Sequence, residues 1–155
     1  MTKNRWEEIN DQNDIDQLMR LFGGFHDSCI KELYMWTDHY VNKDLSMSVS
    51  AKRDHRVRLF IQRQNTDPTA IEFIFDELVQ LCVNPSPENY DSIIYGATFF
   101  HRDGLFYWAN DSEWNPDEPY KFSNVNWICS KKVKWREVSD WTGKTLRYGP
   151  RDDFE

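Results

Sequence analysis

The chain has 155 residues and a mass of 18.7 kDa, enough for one domain with its own core, and its 15% aromatic content excludes general disorder. Its 19 basic and 26 acidic residues leave a net charge of -7, spread along the chain with no basic domain. That disfavours nucleic-acid binding, whose affinity rests on phosphate contacts, and suits solubility or steering toward a basic partner.

Three cysteines, Cys29, Cys82 and Cys129, lie far apart with no CxxC, which argues against a disulfide framework and a zinc ribbon. No apolar h-region opens the sequence, and no run approaches the roughly 18 apolar residues of a membrane span. The expectation is a cytoplasmic protein without a membrane segment, folded as a single domain over residues 1–155, with 1–13 and 142–155 irregular.

Asp14 is placed to cap a short helix from Ile15 to Phe22, because Ile15, Leu18, Met19 and Phe22 recur at i, i+3, i+4 and i+7. Gly23-Gly24 then ends it, since glycine takes the left-handed position after a helix without steric cost. Beyond that point the period changes to two. Ile30–Tyr40 reads as a strand with imperfect alternation. Asn42-Lys43-Asp44 forms a turn before Leu45–Ser50, whose strict alternation predicts a half-buried strand with a serine face. Strands follow at Arg56–Gln62 and Ile71–Asp76, separated by a turn at Asn65–Thr69. Glu77–Val83 is open between a strand extension and a helical turn.

Asn84–Asn89 reads as a loop within one domain, not a linker. Asp103-Gly104 between the alternating runs Ile93–Arg102 and Leu105–Asn110 is the preferred type I′ hairpin turn. A two-residue turn sets Arg102 opposite Leu105, His101 opposite Phe106, Phe100 opposite Tyr107 and Phe99 opposite Trp108. Both faces of this hairpin are aromatic, which predicts a central place in the sheet with cover on both sides. Asn124–Val138 supplies the last long strand. The fold class is therefore α+β, mostly β, with an antiparallel sheet of six or seven strands and a short N-terminal helix.

Three residue groups bear on chemistry. In Phe25-His26-Asp27-Ser28 the His-Asp pair admits a metal or acid/base reading, with His101 folded nearby. The other histidines, His39, His55 and His101, show no HExxH or HxH spacing. The plainer reading has Asp27 and Ser28 serving the helix-to-strand turn while Phe25 plugs the core. The second group, Asp111 to Tyr120, is a loop holding Asp111, Glu113, Asp117 and Glu118 around Trp114, with Pro116 and Pro119. It reads either as a solvated loop or as a contact surface in which the acids steer a basic partner and Trp114 anchors it. EF-hand spacing is absent there. In the third group, Lys132, Lys134 and Arg136 share one strand face, and Lys131, Val133 and Trp135 share the other. This stripe reads as a nucleic-acid platform or, more plainly, as an edge strand protected by lysines. Phosphate-binding glycine loops and the GxSxG nucleophile motif are absent.

Gly24-Phe25-His26-Asp27-Ser28-x-Ile30, after a short helix and leading into a strand, resembles a pattern in small bacterial β-rich proteins, over residues 14–36. Some of these are similar to immunity proteins of polymorphic-toxin systems. The resemblance implies an intracellular, acidic, non-catalytic protein that neutralises a toxin domain by binding it, and it carries over no binding residue. The expected function is thus a non-enzymatic binding protein of the immunity type that occludes a basic protein partner through Asp111, Glu113, Trp114, Asp117 and Glu118, with no cofactor and no metal. The alternative is a small ligand- or metal-binding, or hydrolytic, module using a cleft near His26 and Asp27.

Overall fold

The computed structural model describes residues 4–118, 121 and 123–150. Pro119, Tyr120 and the last five residues of the expected irregular tail lie outside that set. Among the described residues there are nine strands and one α-helix. They are β1 (Glu7–Ile9), α1 (Gln12–Leu21), β2 (Ser28–Trp36), β3 (Tyr40–Val41), β4 (Met47–Ser48), β5 (Arg56–Arg63), β6 (Ala70–Cys82), β7 (Thr98–Arg102), β8 (Leu105–Ala109) and β9 (Trp127–Glu137). Seven strands make one sheet in the order β2-β5-β6-β9-β8-β7, with β1 also paired to β9, and every pairing is antiparallel. The protein is α+β and mostly β.

The helix begins three residues before the expected start. Asp11, not Asp14, is its cap: the Asp11 side chain accepts from the Asp14 amide at 2.9 Å. Ile15 and Leu18 are buried, and the apolar stripe continues through Phe22 to Phe25. Gly23 and Gly24 take φ of 59° and 64°, the left-handed turn that swings Phe25 under the sheet. There Phe25 meets Phe73 and Trp108 at ring-centroid distances of 5.9 and 5.7 Å.

Strand β2 loses its alternation because a bulge between Ile30 and Glu32 shifts its register against β5. Glu77–Cys82 extends β6 as strand, past a second irregularity between Leu78 and Gln80. The Asp103-Gly104 turn gives the expected register, with Phe99 opposite Trp108 and Phe100 opposite Tyr107. Its position differs from expectation. β7 is an edge strand, and the hairpin's aromatic faces are covered by the main core on one side and by Trp114 and Trp127 on the other.

Three further expectations are corrected. Residues 7–9 are not loose: they form β1, which shares an edge of β9 with β8, pairing Val133–Trp135 while β8 pairs Trp127–Ser130. The basic stripe therefore lies on an interior strand and not on a protected edge. Across from it, β6 sets Glu72 opposite Arg136 and Asp76 opposite Lys132. The Leu45–Ser50 segment is not half-buried. It forms an arm of β3 and β4 outside the main sheet, with Leu45, Met47 and Val49 exposed, because an isolated two-stranded ribbon has no layer to pack on.

The face opposite α1 is closed at one end by residues 139–150, which carry a short 3-10 turn at Ser139–Trp141 and no further helix or strand. Glu72, fully buried, ties this segment down. Its carboxylate accepts from Arg58 and Arg136, each through Nε at 2.8 Å, and from the Tyr148 hydroxyl at 2.5 Å. Burial and the adjacent carboxylate push the Tyr148 phenol far above the ordinary tyrosine range, so it stays a donor. Glu32 accepts from the Arg147 and Tyr148 amides at 2.7 and 3.0 Å. Removing one partner of a buried pair leaves the other uncompensated, so Glu72→Gln is expected to cost about 3–5 kcal/mol in urea unfolding. Tyr148→Phe, which deletes one charge-assisted bond, is expected to cost about 1.5–3 kcal/mol.

Candidate functional site

The acidic loop does not present Trp114 to solvent. Trp114 is 4% exposed and packs on Trp127 at 4.9 Å and Tyr107 at 6.1 Å. It is the centre of a second small core, beneath the loop that carries it, with Val125 and Ala109. The anchor role is thereby removed from Trp114. Two of the four acids already hold cations: Asp117 takes the Arg102 fork at 3.0 and 3.2 Å, and Glu118 takes Lys121 at 2.9 Å. Asp111 accepts from the Glu113 amide at 2.8 Å, which shapes the turn, and neither Asp111 nor Glu113 pairs with a cation among the described residues.

The surface beside Asp111 has the character expected of the loop as a whole. A groove of about 400 Å³ runs between the 86–96 segment and residues 110–112. Tyr90 and Tyr95 stand on it, 75% and 64% exposed, with Ile93 between them, and Asp91 and Asp111 supply its charge. Its lining among the described residues contains no Lys or Arg. The Tyr95 hydroxyl donates to Asp91 at 3.0 Å, and that bond pushes the phenol above its ordinary range. Gly96 lets the two segments approach: a Cβ there would meet the Ser112 Cβ at 3.1 Å. Ile94 pins the segment to the sheet by exchanging backbone bonds with Ser28 at 2.7 and 3.4 Å. Tyr95 fell within the strand expected over Ile93–Arg102, but that strand begins only at Thr98, because the chain before it makes an isolated bridge between Ile94 and Ser28 and no ladder; Tyr90 and Asp91, between the expected loop and the expected strand, had no period to assign. Their only signal was two tyrosines in a segment unable to bury them.

His26 and Asp27 follow the glycine turn. Their side chains meet at 3.2 Å, and His26 is well exposed. The Asp27 carbonyl accepts from the Gln64 amide at 3.1 Å. His101 is not brought to them. Its ring stacks on Phe106 at 4.4 Å, and its amide donates to Gln12 at the start of α1. The Gly24 carbonyl instead meets the Ala97 amide, four residues before His101, a span of roughly 13 Å of extended chain. His101 lines a different groove of about 450 Å³ beside Glu8, Asp76, Lys131, Lys132 and Lys134, where both charge signs mix.

A third group was invisible to spacing. His39, Asp54 and His55 converge at the base of the β3–β4 arm, where the chain leaves β2 and re-enters β5. The His39 Nδ1 lies 2.9 Å from Asp54 Oδ2, and the His55 Nδ1 lies 3.2 Å from Asp54 Oδ1. The Asp54 side chain is only 4% exposed, while both imidazoles reach solvent. The Asp38 amide also donates to Asp54 Oδ2 at 3.2 Å, and the Asp38 carboxylate, held below its ordinary range by Arg56, fixes that turn.

Among the described residues no helix is long and apolar enough to cross a membrane. No protein-family model, no curated protein and no solved structure matches the chain.

Because Trp114 fills a core, Trp114→Ala is expected to destabilise the fold by about 3–5 kcal/mol in urea unfolding. A surface anchor would leave the unfolding midpoint where it is.

Proposed function

We propose that this protein is a non-enzymatic binding protein of the immunity type, which occludes a basic surface of a protein partner through the groove around Tyr90 and Asp111. The observation that carries this reading is the groove itself: two exposed tyrosines and two carboxylates, with no Lys or Arg among its described lining residues. Tyrosine combines a large apolar ring with a polar tip and is enriched at binding hot spots. Uncompensated acids nearby raise the encounter rate with a cationic surface and lower it with an acidic one. The roles sort accordingly. Tyr90 and Tyr95 anchor, Asp91 and Asp111 steer and pair, and Glu113 extends the negative field beyond the groove. Asp117 and Glu118, already paired, contribute to the rim.

The test is site-specific photo-crosslinking in the native cell with the probe at Tyr90 and, as control, at Leu45 on the β3–β4 arm. The expected product is one partner, crosslinked from Tyr90 through a Lys/Arg-rich surface. With that partner purified, Tyr90→Ala and Tyr95→Ala are each expected to weaken binding by about 2 kcal/mol, roughly 30-fold, mainly through dissociation. Asp91→Asn and Asp111→Asn are expected to slow association and flatten its salt dependence. A partner captured only from Leu45, or one bound equally well by the double tyrosine variant, overturns the assignment.

A further inference from the structure

We infer that His39, Asp54 and His55 form a binding site for a divalent first-row transition metal that clips the base of the β3–β4 arm. The three donor atoms lie within 4.8 Å of one another, and the two imidazole-to-carboxylate separations are 2.9 and 3.2 Å. A tetrahedral ion with bonds of about 2.0–2.1 Å to nitrogen and oxygen spaces its ligands by roughly 3.3 Å, so small side-chain rotations admit it. The donor set is chemically apt. Two neutral imidazoles and one carboxylate suit zinc and its first-row neighbours and do not suit calcium or magnesium, which demand oxygen.

Burial separates this group from a chance surface cluster. A carboxylate this deeply buried needs its charge answered, and no Lys or Arg salt bridge reaches it among the described residues. Its neighbours are two Nδ1 atoms and the Asp38 amide. An ion taking the place of the two Nδ1 protons, with each neutral ring then carrying its proton on Nε2, answers the charge, while the Asp38 amide keeps its bond and orients the ligating carboxylate as an outer-shell donor. The open sides of both rings leave room for water or a further ligand.

The placement also gives the ion a purpose. His39 lies directly before β3, and Asp54-His55 lies directly before β5, so the ligands bracket the whole arm. The arm pairs only with itself and exposes Tyr40, Val41, Leu45, Met47 and Val49, so little else holds it in one orientation. Closing its base removes loop freedom, and an ion bound to the folded chain alone stabilises that chain. The site stands independently of the groove at Tyr90.

The test is zinc titration of the full chain after treatment with a chelator, read by calorimetry. One equivalent is expected to bind. His39→Ala and His55→Ala are each expected to weaken binding about tenfold or more, and His26→Ala is expected to leave it unchanged. In the unsubstituted chain, Co²⁺ is expected to broaden the imidazole NMR signals of His39 and His55 and to spare His26, a result that needs no variant to fold. Zinc is also expected to slow amide exchange at Val41 and Met47. Absence of zinc binding up to about 1 mM, or Co²⁺ broadening centred elsewhere, overturns the assignment.

Discussion

A carboxylate without solvent exposure sits on the middle of the sheet, and much of the architecture follows from what it requires. Glu72 on β6 is flanked by Arg58 on β5 and Arg136 on β9, so one anion holds three adjacent strands in register. A slip of one residue on β6 would turn Glu72 into the apolar layer beside Phe25 and Trp108, an unanswered charge in the core. The same carboxylate takes the Tyr148 hydroxyl, which draws the C-terminal segment across the sheet. Gln62 supports that segment by donating to the Trp141 and Gly143 carbonyls at 2.9 and 2.8 Å. Phe60, Ala70 and Val138 are buried beneath it together with Trp141 and Tyr148. Polar specificity thus sets where an apolar layer forms.

With one face held by α1 and the main core, and the other by the C-terminal segment and the Trp114 loop, little of the sheet is left for a partner. Apart from Tyr34 and Met35 on β2 and Val79 on β6, the exposed large apolar side chains of the described residues lie on the connections, chiefly the 86–96 segment with its tyrosines and the arm between β2 and β5. Loops carry binding because the scaffold beneath them is rigid and pays no reordering cost. Here the scaffold reaches into both. Ile94 bonds to Ser28 at the foot of the groove, and Asp54 gathers two histidines at the foot of the arm.

Local chemistry made the framework legible in the sequence. Asp103-Gly104 set a whole hairpin register because both residues take the left-handed conformation, with φ of 54° and 78°. The stripe Ile15, Leu18, Phe22 marked the helix, and the glycines after it marked its end. What stayed hidden depends on pairings far apart in sequence. Three residues of β1 cover the Val133–Trp135 stretch of β9 that β8 leaves open, and no local signal announces that pairing. Trp114 is the same case. Acids surround it in sequence, yet in space it meets Trp127 and Tyr107, so its neighbours along the chain misstate its environment. His39 and His55 showed no chelating spacing because the arm brings them together. The only trace was the Asp-His dipeptide, present at 38–39 and again at 54–55.

Net charge does not locate a charged surface. The chain carries -7, but its basic strand is answered by acids beside it: Arg136 by Glu72, and Lys132 by Glu77 at 3.3 Å. Asp117 and Glu118 are likewise spent on Arg102 and Lys121. A partner approaching within a Debye length, about 8 Å at physiological salt, does not feel the total. It feels the carboxylates that nothing has answered. Around the groove these are Asp91 and Asp111, with Glu113 beside them, and the groove lining holds no Lys or Arg among the described residues. Acidic composition therefore becomes a directional property only where carboxylates without a cation stand beside exposed aromatic rings, as Asp91 and Asp111 do beside Tyr90 and Tyr95, the two most exposed aromatic rings of the described chain.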